Sequence, residues 1–198
     1  IEQIIKINLK NIAFLSSFSL IISSFAWRII IYLIFEKPLA GIFFACFSVG
    51  SFPGTLFNSV IGPAYVRQNI ILSRTIKNII YLTFIIVTIA AISSAYMLII
   101  EENKNFLGFN FILFTALISL IGSYFMSYAM YLRHKKIQIS AQERFYLFKR
   151  DIVYGMSIIF LIPLLFNFGG TYAVSFTFLI AASIAIFTYS INFKKRVY

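Results

Sequence analysis

Six long apolar runs, roughly 11–35, 39–66, 76–100, 107–132, 152–168 and 172–193, divide this chain, and nearly every ionisable side chain lies between them or at their edges. A hydrocarbon core about 30 Å thick takes roughly 20 apolar residues to cross as a helix. The pattern predicts an all-α membrane protein: one membrane domain, 1–198, of six transmembrane helices arranged as hairpins. Glu36-Lys37-Pro38, the polar stretch 101–105 and Gly169-Gly170 read as short turns at one end of those hairpins. The stretch 133–150 is the longest connection. Its mixture of Ile137, Ile139, Phe145 and Leu147 with basic residues predicts an interfacial helix.

The second run is interrupted by Gly50, Pro53, Gly54, Gly62 and Pro63. A proline inside a helix removes one backbone hydrogen bond and bends the helix. In a bilayer this is tolerated where neighbouring groups or water satisfy the freed carbonyl. Pro53 and Gly54 are therefore read as a hinge or kink.

Composition supports a membrane protein and orients it. The 198 residues are 61% hydrophobic and 12% charged, about half the charged share of an ordinary soluble domain. The net charge of +11 could suggest nucleic acid, but its distribution argues against that partner. Fourteen of the 17 Lys and Arg fall on the two termini and on alternate connections, around 67–77 and 133–150. Cytoplasmic loops collect Lys and Arg, so both termini are placed in the cytoplasm, in agreement with an even number of spans. Cys46 is the single cysteine and forms no internal disulfide, and His134, the single histidine, makes no metal site alone. The chain begins at Ile1 rather than Met, so a trimmed start or a piece of a longer polypeptide is expected.

One full charge sits well inside a run. Arg28 lies eight residues before Glu36, about 12 Å below the membrane edge at ~1.5 Å per residue. An intramembrane cation is costly and points to a functional site, although a snorkelling side chain is the plainer alternative. Ser17 and Ser24 share its helical face, and Trp27 beside it could stack on a sugar or anchor in lipid. In the second run Ser51, Thr55, Asn58 and Gly62 recur at helical spacing. Small residues also line plain helix contacts, but the Asn58 amide needs polar partners. Together the two stripes would form a cationic, polar wall ending at Arg67. An arginine with hydroxyl and amide company suits an anionic substrate such as a phosphate or pyrophosphate, which its guanidinium grips through two bonds. No carboxylate lies inside a run, and Asp151 sits at an inner boundary. No nucleophile–base pair, metal cluster or glycine-rich phosphate loop is visible, so neither catalysis nor a cofactor is expected.

The stretch Trp27-Arg28-Ile29-Ile30-Ile31-Tyr32, then Gly41-Ile42-Phe43-Phe44-Ala45-Cys46-Phe47-Ser48-Val49-Gly50, then Gly62-Pro63-Ala64-Tyr65-Val66-Arg67 resembles a repeat opening in polysaccharide flippases. These are the oligosaccharidyl-lipid and O-antigen exporters of the multidrug/oligosaccharidyl-lipid/polysaccharide superfamily. The resemblance implies two six-helix bundles around a cationic cavity, of which this chain would be one half. It implies transport of an undecaprenyl-pyrophosphate-linked sugar across the bacterial inner membrane by alternating access. By position, Arg28 would be a cavity cation and Arg67 a cation at the cytoplasmic mouth. The implied partners are the lipid-linked anionic sugar, membrane lipid, and a second six-helix bundle supplied by a missing half or by self-association. Lys194-Lys195-Arg196 would suit the end of a carboxyl-terminal half. Two other readings stand beside this one: half of a drug or ion exporter of the same superfamily, and a membrane protein that assembles partners without transporting.

Overall fold

A computed structural model describes residues 18, 22, 25–56, 74–100, 107–139 and 141–191, and among these the regular structure is all helix, with no strand. Six helices are labelled in chain order: α1 (Phe25–Ile34), α2 (Lys37–Leu56), α3 (Arg74–Ile100), α4 (Phe109–Ile139), α5 (Ala141–Val174) and α6 (Thr177–Ser190). Within them Asn78–Ile100, Phe109–Arg133 and Lys149–Val174 are each long and apolar enough to cross a membrane, with mean hydropathies of 2.3, 1.8 and 2.0. Isoleucines such as Ile85, Ile89, Ile92 and Ile99 on α3 face outward, Ile99 at 81% exposure. A water-soluble monomer rarely carries so continuous an apolar surface; lipid is the solvent that suits it. An all-helical chain with three helices of membrane-spanning length and composition is compatible with an α-helical membrane protein.

Helix α4 is the hub and packs against α2, α3, α5 and α6. Contacts along the helices fix their directions. Phe43 meets Phe111 and Gly50 meets Ser119, so α2 and α4 run the same way. Phe84 meets Phe125 while Leu98 packs against the clusters that hold Phe111 and Phe114, so α3 runs against α4. Trp27 touches Phe47 and Phe35 touches Phe43, which sets α1 against α2. Tyr189 reaches Asp151 while Phe111 meets Tyr172, and α6 therefore returns alongside α5 and parallel to α4. Successive helices alternate up and down, as hairpins require.

Two hairpin ends differ in construction. Between α1 and α2 the chain turns in two residues, Phe35 and Glu36, and Pro38 takes the first turn of α2, where its missing N–H costs nothing. Between α5 and α6 the break falls at Gly170, as its sequence predicts, with φ 64° and ψ −156°. Helix then resumes to Val174 and jogs at Ser175–Phe176, whose amides bond back three residues to Tyr172 and Ala173 at 3.2 and 3.1 Å. The returning segment is thus an irregular helix over 171–190, not a smooth span from 172.

The connection after α4 departs from expectation. Among the described residues no separate helix stands between the two: α4 continues to Ile139 and α5 begins at Ala141. The 31 residues of α4 extend about 46 Å, well beyond a core about 30 Å thick. Leu147, assigned by its sequence to the interface, is buried against Ala129, Met130, Ala185 and Tyr189. Leu147 thus belongs to the packed end of the bundle.

Candidate functional site

Arg28 projects from α1 into a cavity of about 390 Å³ bounded by α1, α2, α4, α5 and α6. Ser51 and Thr55, the hydroxyl stripe of α2, line the same cavity. Two features picked out on separate helices therefore face one space. Ser24, Asn58 and Arg67 lie outside the described residues. Pro53 and Gly54 fall in the last turns of α2, which continues to Leu56.

Arg28 is exposed, and its guanidinium lies 5.4 Å from the Trp27 ring centre and 6.0 Å from that of Phe25. Aromatic faces attract a cation at such distances. No carboxylate among the described residues forms an ion pair with it. Trp27 itself is 7% exposed and meets Phe44, Phe47 and Phe178 edge to face. It is a wall of the cavity and part of the core, not a lipid anchor.

The opposite wall comes from α4. Ser119 and Ser123 line the cavity with Gly122, and Arg133 enters at its far end. Sequence spacing carried this wall too: Thr115, Ser119, Ser123 and Ser127 recur every four residues, one face of a helix. Arg133 was legible only as one member of a basic connection; the continuation of α4 places it in the cavity instead.

Most of these hydroxyls already donate within their own helices. Ser51 Oγ bonds to the Ser48 carbonyl at 3.1 Å, Thr55 Oγ1 to that of Ser51 at 3.0 Å, and Ser119 Oγ to that of Thr115 at 2.8 Å. With those protons engaged, presenting one to a ligand requires rotation about χ1. The arginine side chains carry several N–H groups and can donate without that step.

Asp151, predicted at an inner boundary, is fully buried on α5. Arg133 Nε and Nη2 donate to its two oxygens at 3.0 and 2.9 Å, and the Tyr189 hydroxyl donates to Oδ1 at 2.5 Å. A carboxylate does lie inside the bundle, then, and it is stable there because charge and hydrogen bonds meet it from two helices. Nearby, Arg150 Nη2 caps the Ile191 carbonyl at 2.8 Å. Among the described residues no group of three His, Cys, Asp or Glu could hold a metal ion.

Comparison with protein-family models, curated proteins and solved structures found no match for this chain.

Proposed function

We propose that this chain is one six-helix bundle of a transporter that carries an anionic, lipid-linked sugar across the bacterial inner membrane by alternating access. The observation that carries the reading is the shared cavity: Arg28, Ser51 and Thr55 line one space inside an apolar bundle, with Arg133 at its end. Cations without catalytic partners suit a pyrophosphate headgroup, and the lipid outside suits its polyprenyl tail. The resemblance of 27–67 to polysaccharide flippases supports the same substrate class. Arg28 and Arg67 serve as cavity and mouth cations, Ser24, Ser51, Thr55 and Asn58 as hydrogen-bonding companions, and a second bundle completes the path. The basic ends of the hairpins lie in the cytoplasm. A drug or ion exporter would use Asp151 as its ion carrier, and the fork from Arg133 counts against that role.

The test is binding, which needs no second bundle. The chain in nanodiscs of neutral lipid is titrated with a polyprenyl pyrophosphate and with the uncharged polyprenol. A charge-assisted hydrogen bond contributes about 1.5–3 kcal/mol, so Arg28→Ala is expected to weaken pyrophosphate binding roughly 10- to 100-fold. Arg28→Lys recovers part of it, because an ammonium lacks the planar fork. Equal binding of polyprenol, or parental affinity in Arg28→Ala, would leave Arg28 a snorkelling side chain and remove the proposal.

A further inference from the structure

Arg133 faces the cavity with Arg28, yet its guanidinium is already gripped by a carboxylate. Its side chain is 17% exposed, whereas that of Asp151 is 0% exposed. The cation therefore stands at the cavity border and the anion stands behind it. We infer that Arg133 is a second anion-binding residue of the cavity, and that Asp151 is an internal counter-ion which a phosphate-type anion displaces from it. This rests on the anionic-substrate reading above.

Three features carry the exchange. The fork uses Nε and Nη2, the planar edge that a phosphate oxygen pair also fits. Asp151 is held from a second side, since the Tyr189 hydroxyl on α6 donates to the same Oδ1. It therefore keeps a hydrogen bond when Arg133 turns away, which lowers the penalty of a buried charge losing its partner. Both arginines also line the same cavity. In the present state Asp151 offsets the Arg133 charge, and among the described residues Arg28 adds a further positive charge to the cavity lining. Arrival of an anion at Arg28 brings negative charge toward Arg133, which then shifts from one carboxylate to the ligand. The fork is also a tie between α4 and α5, so its exchange releases one helix from the other at that end. Binding and helix movement are thereby coupled through one side chain.

The experiment uses the single tryptophan, Trp27, which lines the cavity, as a fluorescence probe of binding. The whole chain in neutral nanodiscs is titrated with a polyprenyl pyrophosphate and, separately, with inorganic pyrophosphate. Asp151→Asn keeps the shape and removes the competing charge. If about nine molecules in ten hold the fork closed, opening it tightens binding about tenfold. Adding Arg133→Gln to Asp151→Asn cancels the gain. A gain with both ligands assigns the site to the headgroup alone; a gain only with the lipid assigns it to the carrier. Parental affinity in Asp151→Asn overturns the inference and leaves the proposed function standing, whereas no binding by parent or variant overturns both. Should Asp151→Asn fail to fold, the parent labelled with ¹⁵N-arginine decides. A ligand-induced shift of the Arg133 Nε–H resonance supports the exchange, and a shift confined to Arg28 overturns it.

Discussion

A glycine at a helix crossing is defined by what its missing Cβ would strike. A Cβ on Gly50 would meet Ser119 of α4, with that residue's carbonyl carbon at 2.8 Å. A Cβ on Gly41, one face away on the same helix, would meet nothing within 4 Å. Backbone cannot yield as a side-chain tip can, so Gly50→Ala is expected to destabilise the protein by about 1–3 kcal/mol. Gly41→Ala should be neutral or slightly stabilising, because alanine is the better helix former by up to ~1 kcal/mol. Thermal unfolding of both variants in the same detergent checks this, and equal midpoints would mean that α2 and α4 do not approach so closely. The consequence reaches the cavity, since Gly50 and Ser51 are adjacent and the α2–α4 spacing sets how far Ser51 stands from Ser119.

Helices show where sequence periodicity informs and where it stops. Apolar run length corresponds to the apolar segments Asn78–Ile100 of α3 and Phe109–Arg133 of α4, but carries no signal for the continuation of α4 to Ile139. Hydroxyl spacing identified the cavity face of α2, and the same spacing was present along α4 from Thr115 to Ser127. The Arg133–Asp151–Tyr189 cluster was not legible, since its members lie on three helices whose packing no local pattern encodes. Charge alone put Arg133 in a connection, whereas 31 residues of unbroken helix carry it into the bundle. Pro53 and Gly54 end up near the end of α2, close to the cavity residues Ser51 and Thr55. As a hinge they would let the last turns swing without disturbing the α2–α4 contact at Gly50. Replacing both with alanine should slow transport severalfold in the complete transporter while unfolding temperature holds or rises, as alanine favours helix. Unchanged transport would remove the hinge, and loss of stability in proportion to transport would make the pair a packing feature instead.

At the scale of the molecule, alternating helix directions and alternating charge must describe one orientation. The turn at Phe35–Glu36 and the turn at Gly170 lie at the same end of the bundle, because Phe35 touches Phe166 edge to face. The continuation of α4 past Arg133 and the start of α5 lie at the other end, with Lys135, Lys136, Arg144, Lys149 and Arg150 along them. Lys and Arg near span ends stay on the cytoplasmic side, so the Phe35–Glu36 end is expected to face outward. Cysteine substitutions read this directly. Glu36 is exposed and Phe168 is 86% exposed, and a cysteine at either should react with a membrane-impermeant maleimide added to intact cells. A cysteine at position 136 should react only after the membrane is opened. Phe168 is the better probe than Gly170, whose φ of 64° would strain any side chain placed there. The native Cys46 needs no replacement, being 3% exposed with its thiol directed to the Ile112 carbonyl at 3.4 Å. Labelling at 136 but not at 36 or 168 would invert the orientation. Labelling at both ends in sealed cells would break the link between this bundle's two ends and the two sides of a membrane, and the transport proposal would fall with it.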